Sequence, residues 1–275
     1  MLISKWKKLR KMRHTPMAPF RPHFDIKRLK DGRAMINLGC GTRMHWAWNN
    51  IDFSPYARLV HHMGVANILR SVGFLSEKRF QRLLRVDPQI LFWDLRKGIP
   101  FNDNTFDVVY HSHFLEHLDK TDAPVFLKEC HRILKWNGII RIVLPDFQSL
   151  INQYMSAISC LENGDRFALH QLQKATDNLL NPMVRKQIAG TQQQPFLVQL
   201  VERFIRGHAG NAGELHRWMY DKYSIAELLL SVGFNDIRTE TPTTSRIKGW
   251  DEFTLDHEET GTIYKRGSLY IEGKK

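Results

Sequence analysis

Gly39-Cys40-Gly41, Asp52, Asp94, His111, His113 and Asp146 are spread over residues 39–146 of this 275-residue chain, each just past a short apolar run. Glycines let a ligand approach the backbone closely. An acid can accept two ribose hydroxyls, and a second acid can accept the exocyclic amine of adenine. The pattern therefore points to a nucleoside-type cofactor. Histidine as a residue type suits proton transfer near neutral pH, so His111, His113, His117 and His216 could, with Asp146, take a proton from a nucleophile. His113 ranks first because it falls just past the fourth run, and Asp146 second for the matching place after the fifth. Cys40 reads as a small packing residue, not a nucleophile.

One rival chemistry shares these residues. His113-Phe-Leu-Glu116-His117 matches H-x-x-E-H, an inverted zinc-peptidase pattern with both imidazoles on one helical face. Three fixed positions in five arise easily in a chain with 13 His. A strand of a nucleotide-type sheet also leads straight into the motif. A zinc hydrolase is disfavoured and no metal is expected. Glu116-His117 reads equally as a brace for the following helix and as a substrate contact.

The elements that must position these groups alternate. Residues 34–38 (AMINL), 50–53, 89–93, 106–110 and 138–144 (GIIRIVL) read as strands, with two late β runs over 237–241 and 268–272. Helical periodicity covers 56–84, broken near Gly73, and 123–135, with Asn137-Gly138 as a left-handed stop. A further helix spans 223–232, with Ser224 as its N-cap. Residues 147–208 read as helices broken near Gly164, Pro182 and Gly190. Strands alternating with helices predict a doubly wound, mostly parallel α/β sheet, whose ligands sit at the carboxyl ends of its strands.

Composition bounds the rest. With 43% hydrophobic and 25% charged residues the chain can bury a core. The formal charge of +12 is uneven: residues 1–33 hold 11 Lys/Arg and two acids, and the remainder is nearly balanced. Residues 2–13 read as a short basic amphipathic helix, followed by a stiff linker carrying Pro16, Pro19 and Pro22. This arm reads first as a solvated tail and second as an interfacial helix touching an anionic membrane through residues 1–15. A nucleic-acid partner is disfavoured, because nothing resembles an RNA-binding motif and the body is nearly neutral. Three cysteines without CxxC spacing favour a reducing compartment. No apolar run suits a transmembrane helix or a signal peptide. The expected location is cytoplasmic, with peripheral placement on the inner membrane face as a variant.

INLGCGT (36–42), NNIDFSP (49–55), FWDLRKGIPF (92–101), FDVVYHSHFLEHL (106–118) and ECHRILKWNGIIRIVLPD (129–146) together resemble a class I S-adenosylmethionine-dependent methyltransferase. The likeness resumes at 216–234 and 268–273. It implies a seven-stranded Rossmann-like methyltransferase sheet over 34–275, with 1–33 as arm and linker and 147–210 as a helical insertion or lid. It implies that Asn37, Gly39, Cys40 and Gly41 line the methionine and ribose, that Asp52 holds the ribose hydroxyls, and that Asp94 and Leu95 face adenine. His111 to His113 would border the sulfonium and the incoming nucleophile. Only ten residues separate Gly41 from Asp52, too few for a full first helix and unlike a dinucleotide fold. That side of the cofactor is expected to be exposed, or covered by the arm or the insertion. The implied reaction is methyl transfer to an O or N acceptor, a small molecule or a glycan. The alternatives are a non-catalytic cofactor-binding scaffold and a membrane-docked enzyme acting on a lipid-linked acceptor.

Overall fold

A computed structural model describes residues 24–184 and 215–275. The readings for the helix over 2–13 and the break at Gly190 lie outside these residues. Strands β1 (Met35–Leu38), β2 (Asn49–Asp52), β3 (Leu91–Phe92), β4 (Phe106–Ser112), β5 (Leu134–Pro145), β6 (Asn235–Glu240) and β7 (Ser268–Lys274) form one sheet. Its seven strands lie in the order β3-β2-β1-β4-β5-β7-β6. Pairing is parallel from β3 to β5, and β7 runs antiparallel to both its neighbours. The doubly wound expectation holds. Winding reverses between β1 and β4, so the chain leaves those strand ends in opposite directions and opens a crevice there.

The helices are α1 (Pro55–Leu59), α2 (Met63–Ser71), α3 (Glu77–Leu83), α4 (Ala123–Ile133), α5 (Phe147–Glu162), α6 (Ala168–Val184) and α7 (Lys222–Ser231). Alternate strand residues face opposite sides of the sheet. On one side Ile36, Leu38, Val109, Ile140 and Ile142 pack against Phe126, Leu127 and Ile133 of α4 and Ile225 and Leu229 of α7. Each such large side chain contributes about 1.5–3 kcal/mol by leaving water. The central strands are covered on both faces, which is why they read as unbroken apolar runs.

The opposite face has no helix from the β1–β2 connection. Met35, Val108, Tyr110, Val143 and Tyr270 are covered instead by Trp48 and by Ile247, Trp250, Phe253 and Leu255 of the β6–β7 connection. The Trp48 ring meets Phe253 edge-on, with centroids 5.2 Å apart. Beneath this aromatic cover lies a buried ionic network. The Arg141 guanidinium donates to Asp256 at 2.9 Å, Glu272 at 2.9 Å, and the Thr244 and Thr241 carbonyls at 3.0 and 2.7 Å. It also stacks 4.3 Å from the Trp250 ring centroid. Asp256 accepts from the Tyr110 hydroxyl at 2.6 Å, and Glu272 accepts from Ser245 Oγ and from the Arg246 backbone at 3.1 Å. A buried guanidinium needs its fork of donors occupied, and here it is.

Several local readings are corrected. Helix α4 ends at Ile133 and the chain is already in β5 at Leu134. Asn137 is left-handed, with φ 61°, but it sits in an irregularity of that strand and not at a helix terminus. Strand β3 keeps only two residues. Asp221 is the N-cap of α7, and Ser224 completes a reciprocal capping box with it. Pro182 lies inside α6. Upstream, Phe24, Ile26 and Leu29 pack on the cores, and Asn49 exchanges hydrogen bonds with the Lys27 backbone at 2.9 and 3.0 Å. The packed body therefore includes residues placed in the linker by sequence.

Candidate active site

The glycine turn after β1 is organised by Asp52 at the end of β2. Its Oδ2 accepts from the Gly41 N–H at 2.8 Å and its Oδ1 from the Ser54 N–H at 2.6 Å. Gly39 and Gly41 both have positive φ, 65° and 56°. They differ in what lies beyond them. A Cβ at Gly39 would stand 2.5 Å from Phe114 Cδ2, whereas a Cβ at Gly41 would meet nothing within 4 Å. Gly39 thus lets the loop after β4 close on the turn, and Gly41 leaves its outer side open. Asn37 is buried; its amide donates to the Arg43 carbonyl at 3.0 Å, and its Oδ1 has no partner among the described residues. Cys40 is buried in the small core under α1 and α3, and burial pushes its thiol pKa well up, as expected of a packing residue.

The short β1–β2 connection is covered from an unexpected side. Arg43 donates to the carbonyls of Thr254, Leu255 and His257 and to Glu258, and lies 4.4 Å from the Tyr264 ring centroid. Among the described residues the β6–β7 connection lies over this side, which sequence left either exposed or covered by the arm or the insertion. At the end of β3, Asp94 caps a short turn over Leu95–Lys97 and takes a two-pronged bond from Arg96 at 2.8 and 2.9 Å. Burial acts to raise its pKa, but Arg96 outweighs that and holds the carboxyl below its usual value. Leu95 is buried in the main core. Beside them the half-exposed rings of Phe53 and Phe92 stack with centroids 4.9 Å apart.

The loop after β4 carries a second constellation, centred on Glu116. His113 is left-handed, with φ 52°, and only Leu115–His117 form a short 3-10 turn. The helix that would place His113 and His117 together on one face does not form. His113 Nδ1 instead lies 3.1 Å from Glu116 Oε1, and its Nε2 lies 2.9 Å from Ser268 Oγ. Glu116 is 0% exposed, and neither carboxylate oxygen receives a well-directed hydrogen bond among the described residues. Burial acts to raise its pKa; the neighbouring His113 and His117 more than offset this and hold it below the usual value. His216 Nε2 stands 4.0 Å from Glu116 Oε1, and the His216 and His117 rings meet edge-on at 5.1 Å. Desolvation lowers the pKa of His216 to about 4. The field of Glu116 reaches the Tyr220 hydroxyl, which burial pushes up to about 12, and Lys265, which burial lowers.

His111 differs from its expected role. It is wholly buried, edge-on to Phe126 at 5.4 Å and to Phe114 at 6.2 Å, with neither ring nitrogen partnered. Desolvation lowers its pKa to about 4, so it is neutral at pH 7. It supports Phe114 from below and has no exposed surface to offer a nucleophile. Asp146 caps α5, accepting from the Ser149 N–H at 3.3 Å. It lines a polar cavity of about 740 Å³ between α5 and α6 with Ser149, Gln153, Gln171, Lys174 and Asn178. The insertion reaches the Glu116 group at its far end, where the His216 N–H donates to the Pro182 carbonyl at 3.0 Å.

Sequence reasoning missed Tyr220 and Lys265 altogether and gave Glu116 at best half a role. The one available signal was Glu116 beside His117. What makes it a centre is His216, a hundred residues downstream.

A methyltransferase-domain family model matches residues 36–142. Similar solved structures include a SAM-dependent methyltransferase from Archaeoglobus fulgidus at 15% identity and TM-score 0.38, covering 88% of this chain and 86% of that one. Another from Mesorhizobium loti has 16% identity and TM-score 0.37, with 99% and 98% covered. A possible histamine N-methyltransferase from Thermotoga maritima has 15% identity and TM-score 0.39, with 88% and 82% covered. No curated protein matches. The matched segment runs from β1 into β5 and contains the glycine turn, Asp52, Asp94 and the Glu116 loop. By that match residues 36–142 are similar to a methyltransferase domain, and they supply the parallel half of the sheet.

Proposed function

We propose that the enzyme methylates an oxygen or nitrogen of a polar small molecule or a glycan. The observation that carries this reading is the cavity beside Asp146, lined by amides, hydroxyls and one lysine. Such a lining matches an acceptor rich in hydroxyl groups and offers little to an apolar one. The β1 turn fits the methyl donor, since Asn37 Oδ1 is buried without a partner and Gly41 is open on its outer side. In this reading Asn37, Gly39, Cys40, Gly41 and Asp52 hold the methionine and ribose parts, and Asp94 and Leu95 border the adenine. When bound, S-adenosylmethionine supplies a methyl group already activated on a sulfonium sulfur, and the sulfur keeps the electron pair of the broken bond.

The chain's own tasks are then alignment and removal of one proton from the acceptor. His113 is our first choice of base. Glu116 faces its Nδ1 and favours the proton there, which leaves Nε2, now near Ser268, as the accepting nitrogen. Asp146 and His216 stand second, and His111 is left as support. The reading places the reaction in the cytoplasm, supported by three free cysteines. Among the described residues no helix is long and apolar enough to cross a membrane.

Calorimetric titration with S-adenosylmethionine tests the cofactor assignment. Binding by the wild type, weakened about tenfold to a hundredfold in Asp52→Ala, is the expected outcome. Unchanged binding in both Asp52→Ala and Asp94→Ala would sink it. Mass spectrometry of extracts incubated with isotope-labelled methyl donor then identifies the acceptor. A labelled apolar product without hydroxyl or amine groups would reject the acceptor class.

A further inference from the structure

We propose that Glu116, His117 and His216 form a binding site for one divalent ion of the zinc class. One ligand atom from each lies within 4.8 Å of the other two. Around a zinc ion, tetrahedral nitrogen and oxygen ligands stand about 3.3 Å apart. Side-chain rotation of roughly 1–1.5 Å closes the difference.

Three further observations point the same way. Glu116 is wholly buried, its Oε2 has no partner among the described residues, and its Oε1 meets only His113 Nδ1 at 3.1 Å. A buried carboxylate in that condition is costly unless a cation meets it. His117 Nδ1 lies 3.0 Å from the Leu215 carbonyl, which can only accept. The ring must therefore carry its proton on Nδ1 and present the Nε2 lone pair, which is how metal-binding imidazoles are commonly oriented. Finally, the two ligand loops are clamped together. The Glu116 carbonyl accepts from the N–H groups of Arg217 at 2.7 Å and Trp218 at 3.3 Å. The sequence-distant His216 is thereby held next to Glu116 by backbone, before any ion binds.

Two imidazoles and one carboxylate select a borderline transition ion over magnesium or calcium, which prefer all-oxygen sets. Three protein ligands leave a coordination position open, the mark of a working site more than a structural one. The set is not that of a zinc peptidase, in which both histidines of H-x-x-E-H would bind. Here His113 faces Glu116 and Ser268, stands outside the ligand set, and keeps its role as base. On the methyl-transfer reading above, the ion would polarise an acceptor hydroxyl or amine.

The test uses tag-free, chelator-treated full-length protein titrated with Zn²⁺ alone, followed by calorimetry and by visible absorption after Co²⁺ substitution. One ion per chain is expected. Glu116→Gln and His216→Ala should weaken it by about a hundredfold or more, and His113→Gln by about tenfold to a hundredfold. Circular dichroism confirms that each variant is folded. S-adenosylmethionine binding is measured separately with Asp52→Ala, so a failed cofactor assignment and a failed metal site give different results. No stoichiometric ion in the folded wild type, or equal affinity in Glu116→Gln and His216→Ala, would overturn the proposal.

Discussion

Two clusters of charge buried among the described residues are built on opposite terms. Around Arg141, every partner is present: two carboxylates, two carbonyls, a tyrosine hydroxyl and a stacked indole. Around Glu116, one carboxylate oxygen has only His113 Nδ1 at 3.1 Å, and the other oxygen, a His216 nitrogen and the Tyr220 hydroxyl lack hydrogen-bond partners among the described residues. A satisfied buried network fixes a fold, because removing one member strands the others. A buried polar group without partners lowers stability and persists where something else is to be bound. The first cluster takes the place of a missing helix by locking the β6–β7 connection onto the sheet. The second sits at the strand ends where chemistry belongs.

The largest effect is expected where the network is complete. Arg141→Met leaves Asp256 buried without its guanidinium and Glu272 with Arg246 alone, and should cost about 3–5 kcal/mol in urea unfolding at pH 7.5. A loss under 1 kcal/mol would show that the network is dispensable and erase half of the contrast.

Next comes the pH response of the unpartnered side. His111 has a folded pKa of about 4, below its ordinary 6.5. Between these values the unfolded chain binds more protons, so stability is whole above about pH 6.5 and falls as pH drops toward 4, by up to about 3 kcal/mol from this residue. His111→Phe keeps the ring between Phe114 and Phe126 and should flatten that slope in urea unfolding at pH 7.5, 6 and 5. An unchanged slope would remove His111 from the account.

The two glycines give a smaller version of the same comparison. Gly39→Ala meets Phe114 as well as its own positive φ and should cost about 2 kcal/mol. Gly41→Ala carries only the backbone term, about 1 kcal/mol. If Gly41 faces the ligand, thermal unfolding should rank Gly39→Ala as the worse variant, while S-adenosylmethionine affinity falls in both.

Much of this architecture was legible in the chain. AMINL and GIIRIVL announce covered central strands because parallel strands have no polar face to show. Acids just beyond strand ends announce a nucleoside site because strand ends are where ligands reach backbone. Other features were illegible for physical reasons. Asn137-Gly138 permits a left-handed residue equally at a helix end or in a strand irregularity, and packing chose the second. Strand β3, with two paired residues, carries too little pattern to bound. Arg141 stood in plain view inside an apolar run, yet its partners lie 100 to 131 residues downstream. The Glu116 centre is illegible for the same reason, since no local spacing joins residue 116 to residue 216. The replacement of a helix by Trp250, Phe253 and Leu255 follows from a short connection only once the uncovered face is known.

The contrast between the clusters is tested most directly by paired urea unfolding of chelator-treated Glu272→Gln and Glu116→Gln at pH 7.5. Glu272→Gln weakens a complete network around Arg141 and should lose about 3 kcal/mol or more. Glu116→Gln neutralises a carboxylate without directed partners and should change stability by less than about 1 kcal/mol, in either direction. Equal large losses in both variants would contradict the account, because Glu116 would then be as structural as Glu272.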